Sequence, residues 1–278
     1  MPDETAPPTE GSAASKPQGF LRRFLDLPVD SPIKTVFVAV TLCLVASMAV
    51  SAFAVSLRPT QEVNKLKDKQ INILQVAGLY EEGADITAAF EAFEPRVLEL
   101  ETGEFSDKFD PLTFDDRAAA DDPATSIELS DDPAGIGRQT KYATVYLLRN
   151  EAGDIDKVIL PIHGYGLWST LYGFIAIEEN ADDIYGLQFY EHGETPGLGA
   201  EVDNPRWKAL WKGKQLFDDE GELAITVSKT APPQGDAYHV DALSGATLTS
   251  NGVDNLLQFW MSEAGYGAFL DNLRAGDV

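Results

Sequence analysis

The strongest constraint on this chain is one uncharged run near its beginning, TVFVAVTLCLVASMAVSAFAVSL, from Thr35 to Leu57. As a helix rising 1.5 Å per residue it covers roughly 34 Å, enough to cross a hydrocarbon core of about 30 Å. It lies far from Met1 and is longer than the apolar part of a typical secretory signal, although ASMAVSA passes as a cleavage site. The reading is an uncleaved single-span anchor, with a cleaved signal or a buried core helix as alternatives. Cys43 within it is read as a small, lipid-tolerant residue. Lys16, Arg22, Arg23 and Lys34 precede the run and Arg58, Lys65, Lys67 and Lys69 follow it, so flanking charge leaves the orientation open.

The rest of the chain is acidic and able to fold. With 44% hydrophobic residues among 278 it can bury a sizeable core, and its formal net charge of −24 argues against nucleic acid as a partner. A single cysteine excludes an intramolecular disulfide, a cysteine-ligated iron–sulfur cluster and a cysteine-rich zinc site within the chain. Redox chemistry here would need a bound organic cofactor.

The stretch before Gly19, rich in Pro, Ser, Ala and Glu, reads as a disordered tail. Beyond the anchor, TQEVNKLKDKQINILQVAGL spaces Val63, Leu66, Ile73, Leu74 and Ala77 as a helix does, and Gly78 and Gly83 mark its end. A short helix and a strand follow in ITAAFEAFEPRVLELETGEF. The segment from Asp107 to Arg138 is dense in Asp, Pro and Ala. Its acidic pairs lack the spacing of a calcium loop, and it is read as solvated loop. YATVYLLRN, KVILPIHGYG, YGFIAIEE, IYGLQFYEH and LAITVSK read as strands. NPRWKALWKGKQLF reads as a helix with Pro205 early and Asp203 or Asn204 as its cap, and the C-terminal stretch as a helix pair broken at Gly265. The predicted fold class is α+β: a mainly antiparallel sheet flanked by helices.

Three glycine-punctuated clusters are candidates for chemistry: HGYGLWSTLYGF (His163 to Phe174), HGETPGLGAEVDNPRW (His192 to Trp207) and DALSGATLTS (Asp241 to Ser250). The three histidines form no H-E-x-x-H pair, and His192 with Glu194 gives only half of a zinc-deaminase signature. Neither Ser169 nor Ser244 sits in a G-x-S-x-G frame, and neither a dinucleotide fingerprint nor a P-loop is present. What remains is flexible backbone, hydroxyls and aromatic faces, suited either to turns in a β-rich domain or to a flat, phosphorylated ligand. In the first case Trp168, Trp207, Trp211 and Trp260 all belong to the core.

DALSGAT matches D-x-x-[ST]-G-A-T, the pattern on which extracytoplasmic flavoproteins carry FMN. The order of KDKQINILQVAGL, GYGLWSTLYGF, HGETPGLGAEVDNPRW, WKGK, VDALSGATLTSNGV and FWMSEAGYGAFL resembles the NqrC family, the C-type component of the Na+-translocating NADH:quinone reductase. The likeness runs from Phe37 onward, except for the Asp-rich stretch from Asp107 to Asp132. The resemblance implies an FMN-binding domain with FMN joined through a phosphoester to Thr247, installed from FAD by a separate flavin transferase. Gly245 and Ala246 would keep that approach open, and Ser244 before them is a further cofactor-binding candidate. Backbone N–H groups near Thr249 and Ser250, where a helix is read to begin, would face the phosphate; their hydroxyls also suit a helix cap. Trp168 and Leu198 are the candidates for ring contacts, and Ser169, Thr170, Glu194, Thr195 and Gly197 for the polar edge. Lys229 either offers charge near the flavin or is a solvated strand-end lysine, and Asp241 belongs to the recognition pattern.

The implied role is an electron relay with other membrane and peripheral subunits of a sodium-pumping complex in the inner membrane. The implied organisation is a cytoplasmic tail (1–34), a transmembrane helix (35–57), a helix-rich and acidic-loop segment (58–138) and the FMN-binding domain (139–278), with the C-terminal part periplasmic. Two alternatives share these features: the homologous G-type flavoprotein of electron-transport complexes, and a flavin-free, membrane-anchored binding or assembly domain.

Overall fold

A computed structural model describes residue 28 and residues 31–230 and 237–278; the tail expected before Gly19 lies outside them. The chain divides into two units, one ending at Val63 and the other running from Asn64 to Val278. Helix α1 is a continuous 45-residue helix, Pro32–Val76, that includes Pro59. The anchor and the following amphipathic stretch, read from sequence as separate pieces, are thus one helix. Proline at position 59 lacks an N–H and leaves one i→i−4 bond unmade, but does not end it. The apolar window of α1 has none of its residues buried. A soluble core helix of this hydropathy would be covered by protein, so the exposed span is not a buried core helix; its length and composition suit a single-pass membrane anchor.

At its other end α1 joins the folded unit. Ile73 and Leu74 are fully buried, and the helix stops at Gly78 in the left-handed region, with φ +75°. Leu79 N donates to Leu74 O at 2.8 Å and Gly78 N to Gln75 O at 3.1 Å, the paired bonds that satisfy the last carbonyls of a terminating helix.

A short helix α2 (Ile86–Phe90) leads into strands β1 (Phe93–Glu99) and β2 (Glu104–Phe105). After the acidic segment come β5 (Tyr142–Arg149), β6 (Ile155–Tyr165), β7 (Thr170–Glu178), β8 (Asp183–Glu191) and β9 (Lys214–Gln215). These form one seven-stranded sheet in the order β2-β1-β5-β6-β7-β8-β9, with each neighbouring pair antiparallel. The sheet therefore draws strands from both sides of residue 138. Short connections between β5, β6, β7 and β8 explain the meander, since antiparallel neighbours need only tight turns. Between β8 and β9, Asn204 caps the short helix α4 (Pro205–Lys208) by accepting from Arg206 N.

Both faces of the sheet are covered, and the period of two in the strands sorts their side chains between them. Val145, Leu147, Val158 and Leu160 face helix α5 (Thr247–Trp260) and helix α6 (Gly267–Ala275), packing with Val253, Leu256, Leu257 and Trp260. Tyr146, Leu148, Ile159 and Phe174 face the other way, onto Ile73, Leu74 and Val76 of α1 and Ile86 of α2. That double cover is why β5 is buried almost continuously instead of alternating. Trp207, Trp211 and Trp260 lie in the core, whereas Trp168 is 66% exposed. A fully buried side chain of this size contributes about 2–3 kcal/mol, so the exposure of Trp168 needs another explanation than folding.

The Asp-rich segment is more ordered than a solvated loop. It holds helix α3 (Asp116–Asp121) and an antiparallel pair, β3 (Ser126–Glu128) with β4 (Arg138–Thr140). Its aspartates shape its backbone. Asp115 caps α3 by accepting from Arg117 N and Ala118 N, and Asp132 accepts from Ile136 N and Gly137 N. A short carboxylate reaching a backbone N–H a few residues on explains both the composition and the order.

Candidate functional site

The three glycine-punctuated clusters meet at one end of the sheet. Because β7 runs antiparallel to both neighbours, the β6–β7 turn (166–169) and the chain leaving β8 at Glu191 emerge on the same side. The third cluster leaves β11 (His239–Asp241), which pairs in parallel with β10 (Thr226–Ser228), and enters α5.

Glu194 joins these pieces. Its Oε1 accepts from Leu167 N and Trp168 N, both at 2.9 Å, and its Oε2 accepts from the Thr249 hydroxyl at 2.6 Å. The residue is 5% exposed. Burial pushes its carboxyl upward, but the bonds from Thr249 and from the backbone of Trp168, Leu167 and Ser169 outweigh that and hold it below the usual range. The sequence placed Glu194 at the polar edge of a ligand; the structure makes it the tie between loops. His192 supports the same turn. Its Nδ1 accepts from Glu194 N at 3.2 Å, which leaves Nε2–H to donate to Asp203 at 2.8 Å. Ser169 Oγ accepts from Gly193 N at 2.5 Å, a second link between the β6–β7 turn and the β8 exit.

Thr249 and Ser250 do not cap α5, because the helix starts two residues earlier, at Thr247, with Ala246 as its N-cap. Both hydroxyls point inward. Ser250 Oγ donates to Ala246 O and accepts from Leu243 N, fastening the 243–246 turn onto the helix. No side chain caps the N-terminus, and the leading N–H groups of a helix have no intrahelical acceptor. Ser250 N makes the first intrahelical bond, to Ala246 O at 3.0 Å. Thr247 itself is exposed, as are Ser244 and Gly245. Gly245 has φ +76°, a conformation that side chains resist, and the Leu198 side chain lies against it.

The structure thus gathers Trp168, Ser169, Glu194, Leu198, Ser244, Gly245, Ala246, Thr247, Thr249 and Ser250 into one neighbourhood. Thr195 and Gly197 lie exposed in the same turn, where Thr195 O accepts from Leu198 N and Ala200 N. Thr170 opens β7 opposite Tyr165. Lys229 and the Asp241 side chain are exposed near the paired ends of β10 and β11, with no described contact to the cluster. Three apolar residues at this end were not anticipated: Tyr165, Leu167 and Leu248, exposed by 50%, 36% and 58%. Leu248 had a signal in the sequence, since it falls off the stripe of Thr249, Val253, Leu256 and Trp260 that α5 buries.

An uncapped fourteen-residue helix suits an anionic phosphate, and the exposed aromatic and leucine faces suit a flat ring. Together they suit a flat, phosphorylated ligand. Among the described residues no group of three or more His, Cys, Asp or Glu side chains is placed to hold a metal ion.

Comparison with known proteins agrees with this chemistry. The model of the FMN-binding domain family matches residues 166–262, which contain the second and third clusters whole and the first from Gly166 onward. The chain is 50% identical over 258 residues to the C-type subunit of the Na+-translocating NADH-quinone reductase of Pseudomonas aeruginosa, covering 90% of this chain and 98% of that one. It is 49% identical to the same subunit from Yersinia pestis, covering 89% and 95%. The crystal structure of Shewanella oneidensis NqrC superposes with a TM-score of 0.71 at 38% identity, over 76% of this chain and 99% of that one. The antiparallel sheet, the FMN-binding family match and relatives 49–50% identical over about 90% of the chain agree: this chain belongs to the NqrC family of the Na+-translocating NADH-quinone reductase.

Proposed function

We propose that Thr247 carries FMN through a phosphoester and that the chain relays electrons within a sodium-translocating NADH:quinone reductase. The observation that supports this most directly is the position of the Thr247 hydroxyl, exposed at the first residue of a helix with no side-chain cap. A phosphoester there would meet free N–H groups and the positive end of the helix dipole. Flavin, when bound, supplies reversible uptake and release of electrons. The chain's own residues bind and orient it: Trp168, Leu198 and Leu248 offer apolar faces, and Ser169, Thr170, Thr195 and Gly197 line the polar edge. Lys229 is a candidate for positive charge near the ring or phosphate, its other reading being a solvated strand-end lysine, and Asp241 belongs to the recognition pattern.

No base is needed beside Thr247, because a separate flavin transferase, taking FMN from FAD, performs the attachment. NADH oxidation, quinone reduction and sodium passage fall to the other membrane and peripheral subunits. Residues 60–278 lie on the periplasmic side of the inner membrane and the tail inside, with 139–278 as the FMN-binding domain. Labelling of tagged termini in intact cells tests that orientation.

The attachment is tested on a denaturing gel under ultraviolet light. The wild-type band from cells with an active transferase is expected to fluoresce, Thr247→Ala to be dark and Thr249→Ala to fluoresce. A dark wild-type band or a fluorescent Thr247→Ala band overturns the assignment.

A further inference from the structure

Glu194 is an unusual group to find buried in a protein of net charge −24. The hydrogen-bond donors to its carboxylate described above are all neutral: backbone N–H groups of Leu167, Trp168 and Ser169 and the Thr249 hydroxyl. Buried carboxylates normally take a cationic partner, because an isolated charge in a low-dielectric site loses its hydration. Here the hydration is replaced by fixed dipoles.

The carboxylate is also confined. A Cβ built on Gly166 would lie 2.6 Å from its Oε1, and one on Gly199 would lie 2.6 Å from its Oε2. Both close approaches are made by glycines, whose missing side chains leave room for the two carboxylate oxygens. Through its two oxygens the group fixes two elements of the site. One is the turn that presents Trp168; the other is the first turn of α5, two residues beyond Thr247.

We propose that Glu194 is a positioning residue whose carboxylate locks the Trp168 turn to the Thr247 end of α5 and holds a fixed negative charge beside the flavin. This rests on the reading of Thr247 as the attachment point. Its two consequences are separable. The lock fixes the distance between the ring platform and the attachment point, so a bound ring has one seat. The charge opposes the arrival of an electron on the neighbouring ring, and lowers the flavin's midpoint potential.

Glu194→Gln separates the two, because its carbonyl oxygen still accepts from Leu167 N and Trp168 N while the charge is gone. Glu194→Ala removes both. Amide hydrogen exchange on full-length protein made without the transferase reads the lock and needs no flavin. Leu167 and Trp168 are expected to be protected in wild type and Glu194→Gln, and to exchange at least tenfold faster in Glu194→Ala. Redox titration of the flavin-loaded full-length protein reads the charge. Glu194→Gln is expected to titrate at a more positive potential, by about 59 mV for a tenfold change in a one-electron equilibrium. Unchanged exchange in Glu194→Ala overturns the proposal, and so does an unchanged midpoint potential in loaded Glu194→Gln. Loading is read by the fluorescent band, so failure of the Thr247 assignment shows as a dark wild type or a fluorescent Thr247→Ala, while the exchange measurement still decides the lock.

Discussion

Burial pushes two carboxylates in the folded unit upward, yet their net shifts are opposite. Glu194, at the end of the sheet, is held below the usual carboxylate range. Asp116 opens α3 on the other face, against a cavity of about 680 Å³ that is also lined by Lys69, Tyr146 and Tyr190. Burial pushes Asp116 up to about 6, against the opposing pull of Lys69 and the bonds from Thr144 N and Oγ1. Both lose hydration; they differ in what replaces it. Glu194 receives well-aimed donors on both oxygens, at 2.6 and 2.9 Å. The two contacts described for Asp116, at 3.0 and 3.3 Å, both fall on Oδ1. Aimed dipoles keep a buried acid charged, and where they are few, burial wins.

The largest expected effect comes from breaking the better-solvated acid. Glu194→Ala leaves two backbone N–H groups and a hydroxyl without acceptors, and should cost about 3 kcal/mol. Thermal unfolding of the detergent-solubilised protein measures it.

Asp116→Asn works in the opposite direction. An aspartate raised from 3.8 to about 6 destabilises the fold while ionised, so the substitution should stabilise it by about 2 kcal/mol at pH 8. That advantage should shrink as pH falls from 7 to 4, where Asp116 takes up its proton in the folded state first. Glu194 has the reverse sign. Its contribution is complete above its unfolded value of about 4.3 and is lost as pH falls through its lower folded value. Denaturant unfolding of wild type and Asp116→Asn from pH 8 to pH 4 should therefore show the two proteins converging. A difference that stays constant with pH removes Asp116 from the comparison.

Thr249→Val takes one donor from Glu194 and should cost about 1 kcal/mol. The smallest effect on stability belongs to Trp168→Ala, within about 0.5 kcal/mol, since the side chain is mostly exposed. Its cost should appear in the flavin's absorption spectrum and potential. A large loss of stability in Trp168→Ala makes that side chain part of the core after all.

Much of the fold is legible in the sequence because its signals are local. An uncharged run long enough to span a bilayer, β-branched strands bounded by turn residues, and Gly78 at a helix end each carry their own physics. The motif proposed for attachment is equally local: Ser244 to Thr247 are neighbours in the chain. The ordering of the Asp-rich segment is hidden because acidic composition resembles solvated loop, and only the backbone geometry shows each aspartate spent on a cap or turn. The role of Thr249 is hidden for a related reason. A hydroxyl near a helix start suits a cap, and its partner Glu194 lies 55 residues away in the chain.

By itself, the sequence determined that one segment is long and apolar enough to sit in a bilayer, that the remainder forms an antiparallel sheet with helices, and which threonine is the candidate for modification. These follow from hydropathy, periodicity and a short motif, which need no knowledge of distant contacts. Tertiary structure alone decided that α1 runs unbroken from Pro32 to Val76, that Trp168 stays at the surface while three other tryptophans are buried, and that Glu194 ties the site together. The last two depend on which strands become neighbours, because a side chain's surroundings are set by the sheet order and not by the residues beside it in the chain. The first depends on the cover that Ile73 and Leu74 find against the sheet, which holds the end of the helix in place beyond Pro59.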